Sequence, residues 1–250
     1  MKLAYCSVSV SPVRREQRDA SEMVTQLLFG EIVSVEDVSV PWCKIVTYSD
    51  HYPGYVDVKH LRFLTQKEVS RWLDGNEFQT ALFQKILTPW GEQLIHRGSF
   101  APCDQAEEFN IGNDIFHIKE RIDDGQFSSP CHAAHFYLNT PYLWGGKTPF
   151  GIDCSGLTQM IFRFFDINLP RDASQQVECG SLVDFEDRAE NDLAFFVNVA
   201  GKVIHVGVLC GDGTIIHAAG YVRKDVLTHE GIVHSESQII THKLSEIRRM

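Results

Sequence analysis

Hydrophobic positions fall into short runs over the first 65 residues. Val24 to Leu28 is apolar, Gly30 interrupts, Ile32 to Val35 follows, and Trp42 to Val46 comes next. Asp50-His51-Tyr52-Pro53-Gly54 reads as a turn before Tyr55 to Val58. Short strands at this spacing, punctuated by turn residues, predict a small all-β barrel over residues 1–65. Residues 66–75 are polar and mildly helical. Strand signals resume near residue 80 with Ala81 to Leu87, a turn at Pro89-Trp90-Gly91, then Gln93 to Ile95, Gly98 to Pro102 and Ile115 to Ile118. They predict a second β-barrel module within 66–130, ending in a linker from Asp123 to Pro130.

The pattern changes near residue 131. His132 to Leu138 is compatible with a helix. After Cys154, Leu157, Met160, Ile161, Phe164 and Phe165 recur at helical spacing and line one face; Asn168-Leu169-Pro170 ends that segment. Leu193 to Val197, Val203 to Leu209 and Thr214 to His217 are strand-like, with Gly211-Asp212-Gly213 as a hairpin turn. A helix followed by an antiparallel sheet is an α+β arrangement, so residues 131–250 are expected to form an α+β domain.

Composition and charge narrow the function classes. The chain has 250 residues, 44% of them hydrophobic, which is enough to build cores. With 23 Lys+Arg against 33 Asp+Glu the net charge is −10, which argues against a protein that grips nucleic acid or an anionic membrane surface. No stretch approaches the roughly 18–20 consecutive apolar residues of a membrane span. Met1 to Arg18 is broken by Ser7, Ser9, Ser11 and Arg14-Arg15-Glu16, so no secretory signal is visible and the expected address is the cytoplasm. The seven cysteines include no C-x-x-C pair. In a reducing compartment Cys6, Cys43, Cys103, Cys179 and Cys210 read as small packing residues. Cys131-His132-x-x-His135 lacks a second ligand pair at zinc spacing, so no metal is expected.

Cys154 is the cysteine placed for chemistry. Asp153 is a good N-cap and Cys154 falls in the first helical turn, where partial positive charge and free N–H groups favour a thiolate and can hold an oxyanion. The alternative is a structural thiol buried at a helix start. His205 and His217 lie in successive strands. A hairpin with an odd number of turn residues puts both on one sheet face, where one imidazole can orient the other as a general base. Otherwise each is an ordinary sheet residue.

Three groups of residues resemble a known family. Pro141-Tyr142-Leu143-Trp144-Gly145-Gly146, Phe150-Gly151-Ile152-Asp153-Cys154-Ser155-Gly156-Leu157 and Leu169-Pro170-Arg171-Asp172 are similar to motifs of the NlpC/P60 cysteine peptidases, and His205-Val206-Gly207-Val208 with Ile216-His217-Ala218 completes the set in family order. Gln26-Leu27-Leu28, Trp42-x-Lys44-Ile45 and Gly54-Tyr55-Val56 resemble a bacterial SH3 (SH3b) domain, and residues 66–130 a divergent second one. The resemblance implies SH3b barrels followed by a papain-like domain with Cys154 as nucleophile, His205 as base, His217 as its orienting partner and Tyr142 beside the reacting sulfur. It further implies a γ-D-glutamyl-L-diamino acid endopeptidase that takes murein peptides with a free N-terminal L-Ala. Asp153, Ser155 and Tyr55 would receive that ammonium, and Arg171, Asp172 and Ser174 would line the D-Glu side. No metal or organic cofactor is implied. Relatives often carry Ser directly after the Arg-Asp pair, where this chain has Ala173. An SH3b acid is also expected near the amine, with Glu31, Glu36 and Asp50 all open. The competing functions are a hydrolase of intact wall, a non-catalytic murein-peptide binder and an acyl transferase.

Overall fold

A computed structural model of the chain describes residues 2–74, 77–78, 81–102, 107–123 and 125–250; Cys103 and Asp124 of the residues discussed above lie outside these. The chain divides into two compact units, Met1–Gln126 and Phe127–Met250.

In the first unit β1 (Lys2–Cys6), β2 (Val10–Arg14), β3 (Met23–Leu28), β4 (Ile32–Ser39), β5 (Trp42–Thr47), β6 (Pro53–Asp57) and β7 (Leu61–Leu64) form one sheet in the order β3-β2-β6-β5-β4-β1-β7. This ladder is open. β3 and β7 are its edges, so the expected closure into a barrel is absent from the strand pairing. The strands expected from the hydrophobic runs are present, preceded by β1 and β2. β1 escapes a reading by alternation because both of its faces are covered. Leu3 and Tyr5 enter a core with Trp72, Phe109 and Phe116, while Ala4 and Cys6 enter a second core with Leu27, Cys43, Ile45 and Val56. A strand buried on both sides reads as a continuous apolar run rather than a period of two.

The polar stretch after β7 is helix α1 (Gln66–Leu73), opened by a capping box in which Thr65 and Glu68 satisfy each other's backbone N–H. Trp72 Nε1 donates to the Gly30 carbonyl at 2.9 Å. Then come β8 (Glu77–Phe78), β9 (Phe83–Thr88), β10 (Gly91–His96), β11 (Phe100–Ala101), β12 (Glu108–Ile111) and β13 (Asp114–Ile122), as a four-stranded sheet β10-β9-β13-β12 and a pair β11-β8. Ile86, Ile95, Phe109 and Phe116 from this region share the core of Leu3 and Tyr5.

The second unit begins with α2 (Pro130–His135), capped by Ser129 with proline at its first turn. A short pair β14 (Lys147–Thr148) and β15 (Gly151–Ile152) leads into α3 (Cys154–Arg163), all ten residues of which are buried. The segment ends at Phe164 as C-cap, earlier than the apolar spacing implies, because the chain turns at Asp166, which has φ +59°. After α4 (Ala173–Gln176) come β16 (Ser181–Val183), β17 (Leu193–Val197), β18 (Val203–Leu209), β19 (Thr214–Ala219), β20 (Tyr221–Leu227), β21 (Gly231–Val233) and β22 (Ile240–Arg249). The order β16-β22-β17-β18-β19-β20-β21, with β21 also paired to β22, closes six antiparallel strands into a ring. Each strand of the ring contributes to one core: Ala194 and Phe196, Leu209, Ile215, Leu227, Ile232 and Ile247. The described residues contain no helix long and apolar enough to cross a membrane.

Candidate active site

Asp153 sets the start of α3. Its Oδ1 accepts from the Gly156 N–H at 2.7 Å, capping the helix, and its Oδ2 accepts from the Gly145 N–H at 2.7 Å. Arg171 closes a fork on the same carboxylate, with Nη1 to Oδ1 at 3.0 Å and Nη2 to Oδ2 at 2.6 Å, and Nη1 also donates to Ser155 Oγ at 2.9 Å. Both partners are buried, Arg171 at 1% exposure and Asp153 at 5%. Gln176 holds the arginine loop against the helix by donating to the Ser155 and Pro170 carbonyls at 3.0 and 2.8 Å. Gly156 allows this packing: a Cβ there would lie 2.3 Å from the Gly146 carbonyl oxygen.

Cys154 is therefore the first residue of a rigidly capped helix, 6% exposed. The helix start does not produce the thiolate expected from its position. Burial and the adjacent Asp153 carboxylate push the Cys154 pKa up to about 12, against the lowering effects of the Val206 N–H, Arg171 and the Ser155 N–H. In the free protein desolvation outweighs the helix-end field. The Val206 backbone contact places the sulfur against the residue that follows His205. Tyr142 is bridged to Ile152, two residues before Cys154, and its hydroxyl pKa is raised by burial and then by the charges of Cys154 and Asp153.

The two histidines share a face as expected. Gly207 pairs with His217 and Leu209 with Ile215, which leaves an odd turn and makes His205 and His217 diagonal neighbours. His205 Nε2 and His217 Nδ1 are 2.8 Å apart, and His217 Nε2 lies 3.1 Å from Asp225 Oδ2. Gly207 sits between them, where a Cβ would come within 2.9 Å of His217 Cβ. Asp225 also takes the Ser235 N–H at 2.9 Å and pairs with Arg223 Nε at 2.8 Å. Burial works against its charge, yet the hydrogen bonds from His217, Ser235 and Arg223, with the Arg223 charge, hold its carboxyl well below the usual range. An ionised Asp225 only accepts, so His217 carries its proton on Nε2 and accepts at Nδ1. His205 must then donate from Nε2, which leaves Nδ1 as its basic nitrogen. Burial, then His217 and His242, keep His205 neutral by lowering its pKa well below 6.5.

The hydrophobic pattern had shown neither Asp225 nor His242. Asp225 occupies a strand whose charged Arg223-Lys224-Asp225 run hides its alternation. His242 lies on β22, whose polar Thr241-His242-Lys243 reads as a surface. Its ring stacks on His205 at 4.2 Å between centroids, and burial followed by His217 lowers its pKa to about 4. His205, His217 and His242 each offer a nitrogen within 4.8 Å of the others, a set that could hold a divalent cation. Cys131, His132 and His135 do not converge in this way: His132 Nδ1 faces Ser128, His135 Nδ1 faces the Cys131 carbonyl, and Cys131 Sγ faces Cys210.

The other residues singled out from the sequence are spread more widely. Asp172 caps α4 in a capping box with Gln175, Ala173 is buried there, and Ser174 is exposed on the same short helix. Tyr55 belongs to the first unit, half-buried on β6 opposite Lys44. Of the three candidate acids, Glu31 is buried and accepts from the Leu28 N–H, Glu36 pairs with Lys44, and Asp50 accepts from Thr47 Oγ1.

Known proteins resemble both units of the chain. Residues 139–244 match the NlpC/P60 family and residues 13–61 the bacterial dipeptidyl-peptidase SH3 domain. The γ-D-glutamyl-L-lysine dipeptidyl-peptidase of Bacillus cereus is 27% identical over 80% of this chain and 68% of its own length. That of Bacillus subtilis is 27% identical over 78% and 71%. The probable endopeptidase NlpC of Escherichia coli is 39% identical over 32% of this chain and 53% of its own length. A solved NlpC/P60 family protein from Bacillus cereus superposes over 99% of both chains with a TM-score of 0.78 at 20% identity, so the two share a fold.

Proposed function

Because the chain is an NlpC/P60-family cysteine peptidase with an SH3b domain, related to the γ-D-glutamyl-L-lysine dipeptidyl-peptidases, we propose that it hydrolyses the γ-D-glutamyl–diamino acid bond of murein peptides bearing a free N-terminal L-Ala. The observation that carries this reading is the buried relay of His205, His217 and Asp225 beside the capped thiol of Cys154.

In the proposed mechanism His205 Nδ1 takes the Cys154 proton as the sulfur attacks the γ-carbonyl. The resting pair is neutral, so transfer and attack proceed together, and the Asp225 charge stabilises the imidazolium through His217. The Tyr142 hydroxyl and the Cys154 backbone N–H receive the oxyanion. His205 then protonates the leaving amine, and water, deprotonated by the same nitrogen, releases the thioester. Ser155 is proposed to receive the substrate ammonium, with Asp153 acting as the charge behind it, since its own oxygens already accept from Gly145, Gly156 and Arg171. Arg171, Asp172 and Ser174 are proposed for the D-Glu side. No step calls on a metal or organic cofactor.

Residues 1–65 are read as an SH3b-like sheet, open at β3 and β7, and 66–130 as a second SH3b-like module that shares one of its cores. The enzyme is proposed to recycle wall fragments in the cytoplasm. One mass-spectrometric assay tests the substrate: L-Ala-γ-D-Glu-diaminopimelate or its lysine counterpart, free and N-capped with muramic acid. Cleavage of the free peptide alone is expected. Cleavage of both marks a hydrolase of intact wall, and cleavage of neither with Cys154 alkylatable removes the substrate assignment. Cys154→Ala should abolish turnover while the fold remains; retention of more than about a hundredth of the rate overturns the nucleophile.

A further inference from the structure

Outside the catalytic cluster, two cysteines distant in sequence meet. Cys131, in the first turn of α2, and Cys210, just beyond β18, hold their sulfurs 3.0 Å apart, closer than unbonded sulfur atoms ordinarily pack. Both are buried, at 3% and 7% exposure. The approach is fixed from each side by Asn191. Its side chain accepts from the Cys131 N–H at 2.8 Å, while its own N–H donates to the Leu209 carbonyl at 3.0 Å. The Cys210 N–H is bonded to the Thr214 carbonyl at 2.8 Å, so neither backbone swings freely. A cavity of about 580 Å³ lined by Cys131, His132, His135 and Glu190 reaches the Cys131 side of the pair.

The charge around the two sulfurs is unequal. Cys131 donates its S–H to Cys210, and Thr214 and Lys224 further favour negative charge on Cys210, so that its pKa falls. The donated hydrogen bond, burial and Glu190 push Cys131 the other way. Two sulfurs in contact, one polarised toward the thiolate by its neighbours, are the arrangement that oxidation closes into a disulfide. Cys43, Cys154 and Cys179 all have raised pKa values, burial being the main cause of each, so they present little thiolate to compete.

We propose that Cys131 and Cys210 form a dithiol site that a small peroxide oxidises to an intramolecular disulfide, joining α2 to the β18–β19 turn while Cys154 stays a free thiol. The Cys210 thiolate attacks one peroxide oxygen, the O–O bond breaks, and hydroxide leaves, giving a sulfenic acid. The Cys131 sulfur then attacks Cys210 Sγ, displacing the hydroxyl, and its proton leaves with it as water. Two thiols and one hydrogen peroxide become one disulfide and two waters. The sulfurs need to move by only about 1 Å to reach bonding distance. The bond would tie α2 to the hairpin that carries His205 and His217 without displacing either, so it acts as a staple rather than as a switch of catalysis.

The test treats the whole reduced protein with hydrogen peroxide, alkylates remaining thiols and maps peptides by mass spectrometry without reduction. Expected are a loss of two hydrogen masses, a linked pair of peptides containing Cys131 and Cys210, and an alkylated Cys154. The melting temperature should rise by several degrees, and dithiothreitol should reverse both changes. Turnover of murein tripeptide, where the protein shows it, should stay within twofold. Cys131→Ser should abolish the cross-link and leave a trappable sulfenic acid on Cys210. Sulfinic acid at Cys210 without a cross-link, oxidation first at Cys154, or seven thiols still alkylated would each overturn the proposal. Wild-type mapping decides the matter even if the variant does not fold.

Discussion

At the Cys154 thiol two opposing influences can be ranked by their consequences. The Val206 and Ser155 N–H groups and the Arg171 charge favour a thiolate, but burial and Asp153 prevail and leave a neutral sulfur and a neutral His205. This ordering predicts a pH profile. His205 is a base only when deprotonated, so kcat/KM should be full above its lowered pKa and fall as pH drops through it, with the acid limb below 6.5. The Cys154 alkylation rate should climb about tenfold per pH unit from pH 7 to roughly pH 10 in the free enzyme. A plateau reached near pH 7 would show a preformed ion pair instead. Asp225→Asn offers a second check. The amide can donate to His217 Nε2, inverting the tautomer chain, and kcat should drop roughly 10–100-fold with KM little changed. Steady-state kinetics on a murein tripeptide reads the split.

Elements decide whether those residues meet. The Arg171 fork joins the loop before α4 to the cap of α3, so Arg171→Ala would leave a buried carboxylate without its partner. Removal of one member of a buried pair costs about 3–5 kcal/mol, which urea unfolding of the variant should show. Gly207→Ala should perturb the hairpin, since the added methyl would press on His217; loss of turnover with the far-ultraviolet spectrum preserved is expected. Much of this level was legible beforehand. The Asp153 cap, the helix after Cys154 and the shared face of His205 and His217 all follow from local chemistry and a period of two. Asp225 and His242 were not, because the polar runs Arg223-Lys224-Asp225 and Thr241-His242-Lys243 read as surface and hide the residue of each strand that faces His217 or His205. Arg171 was visible as a candidate, but its burial against Asp153 is a tertiary fact that no spacing encodes.

Over the whole molecule, the first unit depends on a strand that local patterns conceal. β1 feeds two cores at once, and Tyr5, fully buried, donates to Asp114 Oδ2 at 2.5 Å. Tyr5→Ala should destabilise that unit by about 3–5 kcal/mol, the usual effect of truncating a buried aromatic, with urea unfolding as the measure. The turns and apolar runs announced small β modules there, but not the open order of their strands or their common core, which depend on pairings between distant segments. In the second unit the ring is completed by β22, which pairs with both β17 and β21 and is the last of the six strands to be synthesised. A nascent chain that has already extruded Cys154, His205 and His217 still lacks the strand that shuts their enclosure. A chain ending before Ile240 would lack both the strand that joins β17 to β21 and the imidazole that stacks on His205.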